Sequence, residues 1–134
     1  MYNKRVVGIF QNPSNIGELK GNDCCVGDAT SNVFGDTIKL YIRFENNKVA
    51  DSKFKAFGNV ATIACSSMAT ELILGKTIEE LKEYKVEEIS KVLGGLPTSK
   101  EYSLTLVKAA LEDAIRDYTK KQAKLEKQKK NAKK

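Results

Sequence analysis

The 134-residue chain contains no histidine and no tryptophan. Without imidazole it lacks the side chain that most often serves as a general base near neutral pH, and the commonest nitrogen ligand for a metal. Cysteine is sparse: Cys24, Cys25 and Cys65 make an odd count with no CxxC pair. That excludes a zinc-ribbon spacing and a fully paired disulfide framework, and fits a reduced, cytoplasmic setting. No run of about 18 apolar residues exists, so no membrane span is expected. No apolar segment follows Lys4 and Arg5, so no secretory signal is expected either. Nor is there a nucleophile–base pair, a glycine-rich phosphate loop or a pair of carboxylates spaced for catalysis, and an enzyme is not expected.

What is present is 41% hydrophobic residues and a net charge of +6, the composition of one globular domain with a modest core. The charge is unevenly placed. Residues 119–134 hold eight lysines against Glu126, a net +7, which leaves the preceding residues at −1. The domain is therefore expected over 1–118, with 119–134 a lysine-rich tail that either extends a helix or is disordered. Tails of this kind are usually solvated, which disfavours nucleic acid as a partner.

Hydrophobic periodicity places the elements. Val6, Val7, Ile9 and Phe10 mark a short helical or partly ordered arm, ended by the turn Asn12-Pro13-Ser14-Asn15. Residues 16–26 read as a loop leading into a weak edge strand, with one of the adjacent thiols Cys24 and Cys25 inward and the other outward. Ile38, Leu40, Ile42 and Phe44 alternate with Lys39, Tyr41 and Arg43, a strand with one buried face. Residues 45–48 supply a turn, and Val49–Phe57 returns as the second strand of a hairpin.

At Gly58 the period changes. Ala61, Ala64, Cys65, Met68, Leu72 and Gly75 share one helical face of mostly small residues, and Asn59 sits at the junction where loops can build a site. Thr77 and Glu80 spell a capping box for a short helix, and Val86–Leu93 forms another, stopped by Gly94-Gly95. Leu96–Lys100 reads as an extended linker. From about Ser103 to Tyr118, Leu104, Val107, Ala110, Leu111, Ala114 and Ile115 keep helical spacing. The fold class is α+β: about three antiparallel strands, helices packed on one face, and a long C-terminal helix.

Several segments together resemble the NifU/IscU-type iron–sulfur cluster scaffold family. They include Phe10-Gln11-Asn12-Pro13, Gly35-Asp36, Phe54-Lys55-Ala56-Phe57-Gly58, Thr70-Glu71 before Gly75-Lys76, Gly94-Gly95-Leu96-Pro97 and Ala114-Ile115 with Asp117-Tyr118, from about residue 3 to 120. The resemblance implies the IscU/NifU-N-like sandwich. It also implies a ligand set for iron or a [2Fe-2S] cluster: a cysteine before Gly-Asp, a cysteine after the aromatic-glycine pair, and His-Cys opening the last helix. Those positions hold Phe34, Asn59, Tyr102 and Ser103 here, and only Asp36 remains.

Soft iron and zinc sites need thiolate or imidazole, and these residues supply neither. Phe34 is expected to be buried against Tyr102 where a cluster would sit, with Asn59 hydrogen-bonded locally and Asp36 at the rim. No metal or cluster cofactor is therefore expected. Cys65, six residues past Asn59, points about 240° away from it around the helix. The alternative is an iron or iron–sulfur carrier using Asp36, Cys24, Cys25 and Cys65. The main expectation is a non-enzymatic, ligand-less paralogue acting by protein contact. Its implied partners are a cysteine desulfurase, an intact scaffold, or an Hsp70-type chaperone reading Leu96, Pro97 and Lys100.

Overall fold

The alternating stretch around Leu40 forms the central strand of a three-stranded antiparallel sheet in the computed structural model, which describes residues 2–132; Met1, Lys133 and Lys134 lie outside the described residues. The strands are β1 (Cys24–Thr30), β2 (Thr37–Glu45) and β3 (Lys48–Phe57), in the spatial order β1-β2-β3. Ile38, Leu40, Ile42 and Phe44 are buried, as their spacing requires, while Lys39 stays exposed; Tyr41, on the alternate positions, is buried as well. Asn46 and Asn47 close the β2–β3 hairpin with φ of +52° and +64°, the left-handed pair whose twist matches the flanking strands.

Among the described residues five α-helices accompany the sheet: α1 (Lys4–Gln11), α2 (Val60–Leu72), α3 (Ile78–Lys82), α4 (Glu87–Val92) and α5 (Tyr102–Ala132). α2 and α5 carry the contacts to the strands, and α1 packs on α2. This α+β arrangement is the expected one, with one difference in α2. The small-residue stripe accounts for Ala61, Ala64 and Cys65, but Thr62, Ser66, Ser67 and Thr70 are buried too. α1 and residues 14–15 lie over the hydroxyl side. Ser67 Oγ accepts from the Ser14 N–H at 2.8 Å, and Asn15 Nδ2 donates to Thr70 Oγ1 at 3.0 Å. Buried hydroxyls are tolerated there because each has a partner.

α5 runs unbroken across residue 118 and lies directly on β1. A Cβ on Gly27 would come within 1.9 Å of the Ala110 carbonyl oxygen, so glycine sets the strand–helix approach. The same helix reaches the free edge of β1 with a row of side chains one turn apart. Asp117 Oδ2 accepts from the Val26 N–H and Asp113 Oδ2 from the Asp28 N–H, both at 2.8 Å, and Lys121 Nζ donates to the Cys24 carbonyl at 2.7 Å. At the β3 edge, Phe54 exchanges backbone bonds of 2.9 Å with Asn15 and Gly17, and Val49 does so with Gly75 and Lys76.

The capping box at Thr77 forms with both of its hydrogen bonds. The 96–100 linker differs from expectation: Pro97 is extended, but Thr98–Lys100 make one turn of 3-10 helix that feeds α5. The start of α1 holds the end of α4, since Asn3, its N-cap, donates through Nδ2 to the Leu93 carbonyl at 2.9 Å and Arg5 donates to that of Val92 at 2.5 Å. These side chains satisfy carbonyls that a helix end leaves free. Among the described residues no helix is long and apolar enough to cross a membrane.

Candidate functional site at the sheet–helix junction

Three element ends meet around Asp36, which immediately precedes β2. Asn59 caps α2: its Oδ1 accepts from the Ala61 and Thr62 N–H groups at 2.8 and 3.3 Å. An asparagine oxygen satisfies the free donors of a first helical turn, so the residue at the junction has a structural task that its type explains. Its amide nitrogen then faces away from the helix and donates to Asp36 Oδ2 at 2.9 Å.

The same carboxylate oxygen accepts from the Asn59 backbone N–H at 3.2 Å, Thr62 Oγ1 at 2.5 Å and the Tyr102 hydroxyl at 3.3 Å. Thr62 passes the chain on, its Oγ1 lying 3.0 Å from Ser103 Oγ. Having given its proton to Asp36, Thr62 accepts from Ser103. The Asn59 amide also contacts the Tyr102 hydroxyl, and Tyr2 OH donates to Asn59 Oδ1 at 3.4 Å. Burial, followed by the charge of Asp36, raises the Tyr102 phenol pKa, so this hydroxyl stays protonated and serves as a donor.

Gly58 makes the approach possible. Its φ is +152°, and a Cβ there would lie 2.3 Å from Asp36 Oδ2. Glycine alone allows both that backbone and that contact.

Asp36 is 4% exposed. It is not at the rim: it is the buried hub of the cluster, because donors from three elements converge on it. Phe34 corrects the expectation in the other direction. Its ring stacks on Tyr102 with centroids 4.3 Å apart and planes inclined by 24°, yet it remains 59% exposed. The stacked pair covers the network from outside and does not fill the interior; Val33, in the turn beside Phe34, and Phe57, at the end of β3, are exposed too. Thr62 and Tyr2 belong to the cluster without standing out in the sequence. Thr62 had a usable signal, three residues past a helix-capping asparagine and so on the same side of the first turn.

The structure does not bring the three cysteines to this site. Cys24 pairs with Arg43 and Thr30 with Thr37, which puts Cys24 about 20 Å along the sheet from the Asp36 end. Both Cys24 and Cys25 are buried. The outward thiol expected of the pair is covered by the turn before β1, with Cys24 Sγ 3.4 Å from the Lys20 carbonyl. Burial raises the thiol pKa of Cys24 and pushes those of Cys25 and Cys65 up to about 12. Among the described residues no three Cys, His, Asp or Glu side chains are placed to hold a metal ion together. The junction itself offers an amide, a phenol, hydroxyls and a carboxylate oxygen already accepting four hydrogen bonds, a donor set that does not fit iron–sulfur chemistry.

Leu96, Pro97 and Lys100 lie apart from this network, on the α4–α5 connection and half-buried. Beside them a groove of 720 Å³ opens between α4 and the start of α5, lined by Val86, Lys91, Gly95, Leu104 and Lys108 among others.

A small sheet covered by α2 and α5, with a polar cluster where their N-terminal ends meet the strands, defines the class as a two-layer α+β domain. Comparison with known proteins gives the particular family. The model of the NifU-like N terminal domain matches residues 1–125, and the chain belongs to that family. It is 42% identical over 127 residues to the iron-sulfur cluster assembly scaffold protein IscU 1 of Archaeoglobus fulgidus, covering 95% of this chain and 82% of the relative. With the iron-sulfur cluster assembly scaffold protein IscU of Rickettsia prowazekii it shares 39% identity over 123 residues, covering 90% and 93%. Among solved structures, the N-terminal NifU-like protein from Brucella abortus superposes with a TM-score of 0.69 at 22% identity, covering 88% of this chain and 94% of that one. That likeness concerns the fold.

Proposed function

We propose that this chain is a member of the scaffold family in which a closed hydrogen-bonded plug occupies the place of the ligand set. It acts by contact with proteins of iron–sulfur or sulfur metabolism, without catalysis of its own and without holding iron or a [2Fe-2S] cluster. The observation that carries this reading is the state of Asp36, whose Oδ2 accepts from Asn59, Thr62 and Tyr102. Oδ2 can turn to a cation only by giving up charge-assisted hydrogen bonds, each worth about 1.5–3 kcal/mol, which leaves Oδ1 as the one oxygen of the cluster without a partner among the described residues. Phe34, Asn59, Tyr102 and Ser103 offer no thiolate to compensate.

The partners that the family resemblance points to are a cysteine desulfurase, an intact scaffold and an Hsp70-type chaperone. Transfer of a persulfide needs a thiol at the mouth of the site. Phe34 and Tyr102 supply none there, and the three thiols of the chain are buried. Docking without transfer would make the protein a competitor or regulator of a scaffold that carries the ligands.

The test is anaerobic incubation with ferrous iron, sulfide and thiol, followed by desalting and visible spectroscopy. The unmodified protein is expected to retain no stoichiometric cluster. Phe34→Cys, Asn59→Cys, Tyr102→His and Ser103→Cys combined should recover binding, because the spacing of the positions is kept. Stoichiometric cluster in the unmodified protein would overturn the proposal. In the companion titration against the desulfurase of the same genome, saturable binding is expected with no persulfide on Cys24, Cys25 or Cys65 by mass spectrometry. Absence of binding, or a persulfide on any of the three, would overturn the docking role.

A further inference from the structure

The end of α5 carries charge that neither the junction nor the core uses. From Thr119 to Ala132 every residue except Lys121 is exposed, and the segment remains helical throughout. Lys121 is engaged, bonded to the Cys24 carbonyl and paired with Asp117 at 3.1 Å. Of the five other lysines up to Ala132, four fall in one row once the segment is helical. Lys120, Lys124, Lys127 and Lys130 stand at i, i+4, i+7 and i+10, within a sector of about 120° along about 15 Å of helix. Glu126, the one acid of the segment, falls outside that sector, and the chain before residue 119 is nearly neutral. The positive charge is therefore concentrated on the end of one helix and is densest along this sector, with Lys129 alone on the opposite side.

The chemistry of the face narrows its partner. The sector holds no aromatic residue and nothing aliphatic larger than Ala123; Leu125 lies on another side, where it lines a cleft with Asn22 and Tyr118. A helix that settles into a bilayer surface needs an apolar face opposite its lysines, and one that binds single strands needs rings for base stacking. Neither is available. Duplex backbones present a negative charge about every 1.7 Å of axis, far denser than an acidic protein surface. A helix of about 10–12 Å diameter matches the major groove of B-form DNA, about 12 Å wide, whereas the major groove of A-form RNA is too narrow for it.

We infer that the lysine face of α5 binds the phosphate backbone of double-stranded B-form DNA without reading its sequence. As a solvated tail the segment would not favour nucleic acid; as a helix with its cations aligned it does.

Fluorescence anisotropy with a labelled duplex of about 20 base pairs tests this, using the full chain over a series of salt concentrations. Four phosphate contacts predict a slope of log K against log salt near −3.6, a loss of about 150-fold between 50 and 200 mM. Replacing Lys120, Lys124, Lys127 and Lys130 by glutamine should reduce the slope by about 1 for each lysine and weaken binding at 50 mM salt by at least about tenfold. Glutamine is nearly as good a helix former as lysine, and circular dichroism should be unchanged. A charge-matched variant with Lys82, Lys85, Lys91 and Lys108, all exposed on the body, changed to glutamine should bind like the parent. No binding at 50 mM salt, or equal loss in the two variants, would overturn the inference. So would equal competition by duplex RNA or by polyglutamate.

Discussion

A methyl group added at Gly58 would meet the Asp36 carboxylate at 2.3 Å, on a backbone with φ of +152°. Relief requires either moving the carboxylate from its donors or distorting the strand-to-helix turn. Gly58→Ala is therefore expected to cost about 2–3 kcal/mol, read as a lower urea midpoint at unchanged m-value. The thiols make a second prediction at this scale. With Cys25 and Cys65 pushed up to about 12 by burial and Cys24 raised as well, the reactive thiolate is scarce at neutral pH. Alkylation of the native protein should be slow at all three and rapid at three equivalents in denaturant; a fast-reacting native thiol would contradict the burial. The sequence pointed to the right positions here but not to their environments. Asn59 was recognisable as the junction residue on local pattern, and Asp36 through the family resemblance carried by Gly35-Asp36. That Asp36 is a buried hub depends on Tyr102 and Thr62, residues 66 and 26 positions away, and no local pattern reports such a convergence.

Among the elements, the hairpin, the capping box at Thr77 and the stops at Gly94-Gly95 were legible because each is written within a few residues. The row Asp113, Asp117, Lys121 was not. On a helix wheel it looks like an ordinary solvated face; its partners are backbone groups of β1, 85 to 97 residues earlier. The row has a measurable signature. The Asp28 N–H, ahead of Arg116, holds the Asp113 carboxyl below the usual carboxylate range. A depressed folded value means that this group's contribution is complete above the unfolded pKa of about 3.9 and disappears as pH falls through the lower, folded value. Asp113→Asn should accordingly flatten part of the loss of stability below about pH 4, measured by urea unfolding against the parent. An unchanged acid slope would show that the bond to Asp28 contributes nothing. The 3-10 turn at Thr98–Lys100 was hidden for a similar reason: Pro97 announces an extended residue but carries no signal for the helical turn after it.

At the scale of the whole molecule, the proposal that the junction holds no metal predicts a thermal stability indifferent to chelation. A bound metal contributing about 1 kcal/mol would lower Tm on its removal by roughly 3–5 °C in a domain of this size. We expect no shift with EDTA in a thermal melt, and a drop of several degrees would contradict the closed network. The two borders of the sheet carry a further consequence. β1 is bonded along its outer side by carboxylates and an ammonium group of α5, and β3 by the Asn15–Gly17 segment and the 75–76 turn. Strand addition, by which many proteins capture an extended peptide, requires a row of unclaimed backbone donors and acceptors. At these positions the donors and acceptors are already engaged. A protein that meets the domain at these positions must therefore read side chains across its helices and loops, and its affinity there will be set by shape and charge, not by the register of a borrowed strand.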